Sequence, residues 1–381
     1  MREIIIFGAG DRAKRLIQMI DSKKFIDLSD FEVVALCDNN KTSGSYFYRR
    51  PVIRPKKLKE YPNVPILISS CFILDEIMEQ LLKMSINNPV YFIPEYSYKL
   101  KWGGSSMPAL IRMNVQKPRL PYLEVSIFAK CNLNCRGCSA ASNISEPWHM
   151  TLTDLERQFD ALKNKYSGIK YLKLLGGEPL LNPEIKDLLL CSRRYWPDAE
   201  IVVHSNGLLV PNIDVDILKT MEQLDISFVF TLYPETGKKQ MDIENRLREY
   251  GVDYYFRKPL YKFYKVINPK GDYDDREVYA NCGKCINLRN GKLSCGFDTL
   301  IDIIERKYGI SICNNKNEHT IDLYNTDMNG WEINALLDSP YSLCRYCAFM
   351  RWNDLDVAQT YDWEPFVRGE LEDWLIDDAS M

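Results

Sequence analysis

The sequence predicts an α/β protein in three parts. A doubly wound parallel-sheet domain spans residues 1–104, a second strand-helix repeat over 120–265 forms a barrel or part of one, and a small cysteine-rich extension covers 266–381. Three observations carry this reading. Strand-like and helix-like stretches alternate twice, once over 3–93 and again over 122–256. Breakers and small polar residues at 102–108, from Trp102 through Gly103 and Gly104 to Pro108, mark a domain connection. Beyond about Ile267 the alternation stops, and six of the twelve cysteines follow. At 381 residues the chain is long enough for two or three cores of roughly 150 residues each.

In the first part, residues 3–7 read as a strand, 8–13 as a glycine turn and 14–20 as a helix with apolar residues at helical spacing. Residues 31–37 give a second strand ending on Asp38, and 64–68 and 89–93 two more, with a helix near 75–84 between them. Gly8, Gly10 and Ala13 fit G-x-G-x-x-A, in which glycines let backbone approach a phosphate and the helix start offers its N–H groups. Asp38 falls near the place where an acid receives a ribose hydroxyl. The segment resembles the N-terminal Rossmann-like domains on enzymes of surface-glycan assembly, whose Gly-Ala-Gly turn and Asp-Asn pair match Gly8, Ala9, Gly10, Asp38 and Asn39. That resemblance implies a nucleotide or nucleotide-sugar site at Gly8, Gly10 and Asp38. A domain that keeps the scaffold without the ligand is the alternative.

The second part reads as strands at 122–129, 171–175, 200–204, 227–232 and 253–256, with helices at 152–166, 183–195, 215–224 and 240–250. Chemistry in such folds gathers on loops at the C-terminal ends of strands. After the first strand come Cys131, Cys135 and Cys138, spaced C-x3-C-x2-C. Soft thiolates select zinc, copper(I) or iron-sulfur clusters. A structural zinc needs four ligands, but Ser139, Ala140, Ala141 and Ser142 follow, and His149 lies eleven residues past the last thiol. A cubane held by three cysteines keeps one iron open to a small molecule.

With Gly176, Gly177, Glu178 and Pro179 at the end of the next strand, the cysteine triad resembles the radical S-adenosylmethionine (SAM) superfamily. One departure is Gly137, which stands where that family has an aromatic before the third cysteine. The resemblance implies a partial (β/α)6 barrel and a [4Fe-4S] cluster on Cys131, Cys135 and Cys138. Its open iron takes the amino and carboxylate groups of SAM, whose one-electron cleavage yields a 5′-deoxyadenosyl radical. An electron donor such as flavodoxin or ferredoxin is implied too. Gly176, Gly177, Glu178 and Pro179 would meet the SAM ammonium through backbone acceptors. Ser205 and Asn206 would contact its carboxylate and ribose, and Thr231 and Arg257 at the following strand ends are analogous candidates. His204 is expected to be an ordinary strand-end histidine.

In the third part Cys282 and Cys285 form one C-x2-C pair and Cys344 and Cys347 another. Asn290-Gly291 suits the type I′ turn of a hairpin that carries Cys285 and Cys295 to one open end. Two such pairs also suit a zinc ribbon. Beside a radical SAM domain, the layout resembles the SPASM and twitch extensions, which implies an auxiliary cluster. Two auxiliary cubanes would want about eight thiolates; six are present, so one auxiliary [4Fe-4S] cluster is expected. Its expected ligands are Cys285, Cys295, Cys344 and Cys347, with Cys282 as alternate to Cys285 and Cys313 a bystander.

Acids and bases are interspersed at a formal net charge of −3, which is not the basic footprint of a nucleic-acid binder. The lysine-rich stretch 54–59 is a solvated surface. Residues 1–10 lack a signal-peptide pattern, and no stretch approaches the ~20 apolar residues of a membrane span. A cytoplasmic protein is expected, in which clustered cysteines bind metal rather than form disulfides. Cys37, Cys71 and Cys191 stand alone in apolar stretches and read as small core hydrophobes. The expected substrate is a small molecule, a carbohydrate or nucleotide-sugar that is oxidised or epimerised. A maturase of ribosomally made peptides and a non-catalytic iron-sulfur or zinc protein are the other two readings.

Overall fold

The computed structural model describes residues 1–23, 26–70, 73–93, 110–349 and 359–377, so Cys71 and the connection at 102–108 lie outside the described residues. The backbone gathers into two compact units. One comprises Met1–Arg119, Lys165–Gly168 and Trp196–Ala199; the other comprises Leu120–Asn164, Ile169–Tyr195 and Glu200–Met381.

The first unit is a seven-stranded sheet of β1 (Arg2–Phe7), β2 (Phe31–Cys37), β3 (Tyr46–Phe47), β4 (Arg50–Ile53), β5 (Ile66–Ile68), β6 (Val90–Phe92) and β7 (Ile111–Met113). Its order is β3-β4-β2-β1-β5-β6-β7, parallel from β4 to β6 and antiparallel at both edges. Strands buried on both faces read as continuous apolar runs, and β1 is one. Its Ile4 and Ile6 pack with Ala13, Leu16, Ile17 and Ile20 of α1 (Asp11–Ser22). Ile5 and Phe7 face the other way, onto Leu74, Ile77, Met78 and Leu81 of α2 (Leu74–Lys83). Helices thus cover both faces of this sheet. Cys37 lies in its core, as Cys191 does in the second unit. The short strands β3, β4 and β7 show no periodicity in sequence.

The second unit repeats strand and helix through β8 (Arg119–Phe128), α3 (Leu152–Lys165), β9 (Gly168–Gly176), α4 (Ile185–Tyr195), β10 (Glu200–Ser205), α5 (Val215–Gln223), β11 (Ile226–Phe230), α6 (Gln240–Tyr250) and β12 (Tyr254–Phe256). Strands β9 to β12 run parallel in sequence order, with β8 beside β9. The other edge of β8 receives β14 (Ile286–Arg289), also in parallel. A place in the parallel array is therefore filled from the cysteine-rich extension. β13 (Lys262–Tyr264), which follows β12, pairs instead with β17 (Thr360–Asp362) in a separate two-stranded sheet.

The expected hairpin is formed by β14 and β15 (Lys292–Cys295), whose register sets Cys295 opposite Ile286, and β16 (Ile321–Asp322) adds to β15. Asn290 at φ 51° and Gly291 at φ 73° adopt the left-handed backbone of a type I′ turn. The extension shares a core with Ala141 and Ile144, which follow the cysteine loop. Phe297, Leu300, Ile301 and Ile304 of α7 (Gly296–Tyr308) pack with Val266, Ile267, Leu343 and Trp374. Among the described residues no helix is long and apolar enough to cross a membrane.

Candidate active site

The strand order brings the exits of β8, β9 and β10 side by side. β8 ends at Phe128, and the loop after it holds the three thiols. Cys131 Sγ accepts from the Leu133 N–H at 3.4 Å and from Asn206 Nδ2 at 3.6 Å. Cys135 Sγ accepts from Trp363 Nε1 at 3.1 Å, and Cys138 Sγ lies 3.2 Å from Ser142 Oγ. Burial pushes the Cys131 thiol up to about 11, against the pull of the Leu133 N–H, and pushes Cys135 higher still. N–H groups aimed at sulfur favour thiolate while burial opposes it. Iron supplies the positive charge that resolves this conflict, so the donor set fits an iron-sulfur cluster. Among the described residues no three His, Cys, Asp or Glu side chains close around a single ion. Three thiols on one loop suit a cubane, which takes each at a different iron.

The double glycine allows β9 to leave against β8. Gly177 N donates to Phe128 O at 2.7 Å and Glu178 N to Lys130 O at 2.9 Å. A Cβ on Gly177 would lie 2.2 Å from Lys130 O. Glu178 is wholly buried, and its carboxylate accepts from Leu180 N (3.1 Å), Ser205 Oγ (2.8 Å) and Asn206 N (2.9 Å). Burial raises its pKa to about 7 in spite of these donors. Glu178 and Ser205 thus spend their side chains tying β9 to β10, and Pro179 opens the short turn Pro179–Leu181 below them. Asn206 reaches the cysteine loop, donating to Asn132 Oδ1 at 2.7 Å, and its carbonyl accepts from Thr236 Oγ1. Asn132 and Thr236 belong to this frame and carry no motif that sequence could expose.

The strands also bear a polar set. Lys173 Nζ pairs with Glu124 Oε1 at 2.8 Å, and the Tyr122 hydroxyl donates to the same oxygen at 2.6 Å. The Tyr122 and Tyr171 rings stack at 5.5 Å. His204 Nε2 lies 2.9 Å from Thr231 Oγ1, and burial, then the charges of Lys173 and Arg257, push its pKa down to about 3. His204 is therefore neutral and part of a network rather than an isolated strand-end residue. Arg257 is exposed and pairs with no carboxylate among the described residues. Sequence reasoning missed Tyr122, Glu124, Tyr171 and Lys173. Their signal was polar residues at every second place in strands that a doubly covered sheet would make apolar.

In the extension, Cys295 is pushed to about 12 by burial, opposed by the Phe297 N–H and reinforced by Cys282. Burial likewise raises Cys344 and Cys347, both of which lie within electrostatic reach of Cys282. Cys285 differs: it is exposed by surface area, and its thiol is acted on by the charges of Glu124 and Lys173 of the strand set more than by Cys282. Cys313 is buried in the apolar core of the extension, its N–H on Glu305. In the first unit, Asp38 accepts from the N–H groups of Ala9, Asn40 and Lys41 at 2.8–2.9 Å. Gly8, at φ 106°, fits under Ser69, whose Oγ would lie 2.3 Å from a Cβ there, while Gly10 faces open space before α1. The glycine turn and the end of β2 are stapled together by that one carboxylate.

Residues 125–282 match the family described as the Radical SAM superfamily, and residues 1–90 one described as C2185-like, N-terminal. GTP 3′,8-cyclase of Nautilia profundicola is 27% identical over 143 residues, 35% of this chain and 43% of that protein. The Helicobacter pylori protein of the same name is 26% identical over 110 residues, 28% of this chain and 34% of the relative. The chain thus spans less than half the length of these relatives. That of Sulfurovum sp. is 22% identical over 250 residues, covering 60% of this chain and 76% of the relative. Among solved structures, BtrN in complex with AdoMet and 2-DOIA aligns over 64% of this chain and 95% of its own at 18% identity, TM-score 0.37. Streptococcus suis SuiB bound to S-adenosylmethionine aligns over 37% of this chain and 33% of its own at 18% identity, TM-score 0.29. The loop of three thiols, the double-glycine exit braced against it and the family match over the same strands make one conclusion: residues 125–282 belong to the radical SAM superfamily, whose cofactors are a [4Fe-4S] cluster and S-adenosylmethionine.

Proposed function

We propose that this chain takes a hydrogen atom from a carbohydrate or nucleotide-sugar and delivers an oxidised or epimerised product. Cys131, Cys135 and Cys138 hold the cluster, which with bound SAM and one electron supplies the 5′-deoxyadenosyl radical. The backbone of Gly176, Gly177 and Pro179 and the side chain of Asn206 orient SAM, while Glu178 and Ser205 keep Asn206 in place. Thr231 and Arg257 follow the next two strands, β11 and β12. Cys295, Cys344 and Cys347 hold an auxiliary cluster with Cys282, ahead of Cys285, as the fourth ligand. Gly8, Gly10 and Asp38 form the nucleotide-binding end of the first unit.

The observation that carries the carbohydrate reading is the paired, largely shielded polar set on β8, β9 and β10. Glu124 accepts, Lys173 and Tyr122 donate, and neutral His204 does either. Such groups suit a substrate rich in hydroxyls and bearing an anionic group, because each hydroxyl both donates and accepts. The test is anaerobic reconstitution with SAM, a reductant and a panel of deuterated sugars and nucleotide-sugars. Mass analysis is expected to show 5′-deoxyadenosine carrying deuterium. No turnover across the panel, with turnover of a peptide instead, rejects the carbohydrate reading.

A further inference from the structure

The loop that holds Cys131, Cys135 and Cys138 is clasped by a segment more than two hundred residues further along the chain. Arg136 N donates to Glu364 O (2.9 Å), Phe366 N to Leu133 O (2.7 Å) and Val367 N to Asn134 O (3.1 Å). The Arg136 side chain donates to Asp373 Oδ1 at 2.7 Å, and its guanidinium lies 4.8 Å from the centre of the Tyr361 ring. Tyr361 donates its hydroxyl proton to Asp373 O, and Trp374 Nε1 donates to Cys138 O, each at 2.9 Å. Gly137 makes room for this. Its φ is +55°, and a Cβ there would lie 1.5 Å from the Tyr361 hydroxyl. The aromatic that sequence places before Cys138 in related loops is absent from Gly137, and a ring from β17 occupies the space beside it.

One contact of the clasp touches a sulfur. The Trp363 indole N–H donates to Cys135 Sγ at 3.1 Å, and the ring is fixed by stacking on Tyr233 at 5.4 Å and 21°. Tyr233 follows β11, is half-buried and lies within electrostatic reach of all three thiols. A neutral thiol is a weak acceptor, whereas a thiolate is a strong one, so a rigidly held N–H aimed at sulfur is suited to the ligated form. Hydrogen bonds to cluster sulfurs raise the reduction potential, because they stabilise the extra negative charge of the reduced state.

We infer that Trp363 is a positioning residue of the cluster site, donating to the Cys135 thiolate and so making the cluster easier to reduce. The inference rests on Cys131, Cys135 and Cys138 being the cluster ligands. It assigns the C-terminal segment 360–374, which carries no recognisable motif, to the same centre as the cysteine loop. The indole touches a ligand and not the substrate, so its effect is on the electron-accepting step and not on substrate recognition.

The experiment is a redox titration of the reconstituted protein followed by electron paramagnetic resonance, reading the signal that changes when SAM is added. Trp363→Phe keeps the ring and removes the N–H. Its midpoint is expected to move to more negative potential by up to about tenfold in the reduction equilibrium, ~59 mV for one electron. Trp363→His, which retains a ring N–H, is expected to recover part of that shift. Electron-nuclear double resonance on the wild type in D2O is expected to show an exchangeable coupling at the reduced cluster, lost in W363F. An unchanged midpoint in W363F overturns the inference, and so does a wild type without that coupling, even if W363F fails to fold. A wild type that takes up no iron at these cysteines overturns the cluster reading itself.

Discussion

Cys131, Cys135 and Cys138 lie on one loop of eight residues, whereas the candidates Cys282, Cys285, Cys295, Cys344 and Cys347 are spread over a hairpin, the segment before it and a turn far along the chain. The first group is placed by local chain geometry and then braced from outside by Asn206, Trp363 and Trp374. The second exists only because β14 docks on β8 and α7 packs against the turn that carries Cys344 and Cys347. A local group announces its ligands through spacing. A dispersed group announces only its candidates.

The largest effects should separate the two groups outright. Cys131→Ala is expected to abolish 5′-deoxyadenosine formation, while Cys347→Ser leaves SAM cleavage intact and stops completed turnover. Chromatography of 5′-deoxyadenosine beside product separates the two outcomes. If C347S turned over substrate normally, the extension would hold no working cluster.

Next in size is the choice inside the dispersed group. Cys282→Ser is expected to lose about four of eight irons per chain after reconstitution, given four irons per cubane, and Cys285→Ser to keep all of them. Iron and sulfide analysis of the two variants decides this, and the reverse pattern would return Cys285 to the ligand set.

A smaller effect concerns the brace of the local group. Glu178 has a pKa raised from 4.5 to about 7, chiefly by burial. Between those values the folded apoprotein holds a proton that the unfolded chain has released. Stability of the apoprotein should therefore fall as pH rises from about 4.5 to about 7, by at most ~1.4 kcal/mol per pH unit, and level off above. Glu178→Gln is expected to flatten that slope in urea titrations run across the interval.

The smallest belongs to the first unit, where one acid does locally what several elements do around the cysteines. Burial works against the charge on Asp38, but the backbone N–H groups of Asn40, Lys41 and Ala9 prevail and hold its pKa below 3.8. Its stabilisation is present above the unfolded value and fades as pH drops through the lower folded one. Asp38→Ala should cost about 1 kcal/mol at neutral pH, visible as a lower midpoint in thermal unfolding of the first unit.

Much of this could be read in advance. The helix 240–250 is legible in sequence because Ile243 and Leu247 stand four apart and Gly251 ends it in left-handed backbone, and β2 because it is a nearly continuous apolar run. The turn at Asn290 and Gly291 was legible because two consecutive left-handed residues favour that pair. The helix Gly296–Tyr308 buries Phe297, Leu300, Ile301 and Ile304 at helical spacing. Strands of two to four residues offered no period at all.

Of the site, sequence alone determined the residues whose chemistry depends on neighbours along the chain: Cys131, Cys135, Cys138 and the glycines that let Gly177 lie against Lys130. Spacing within one loop survives any arrangement of the rest. Only the tertiary structure decided that Glu178 faces inward, that Lys173 pairs with Glu124, and that Trp363 reaches Cys135. Each of those depends on which strand edges pair and which face a side chain takes, and such choices are made by the burial of the whole unit rather than by any short stretch of it.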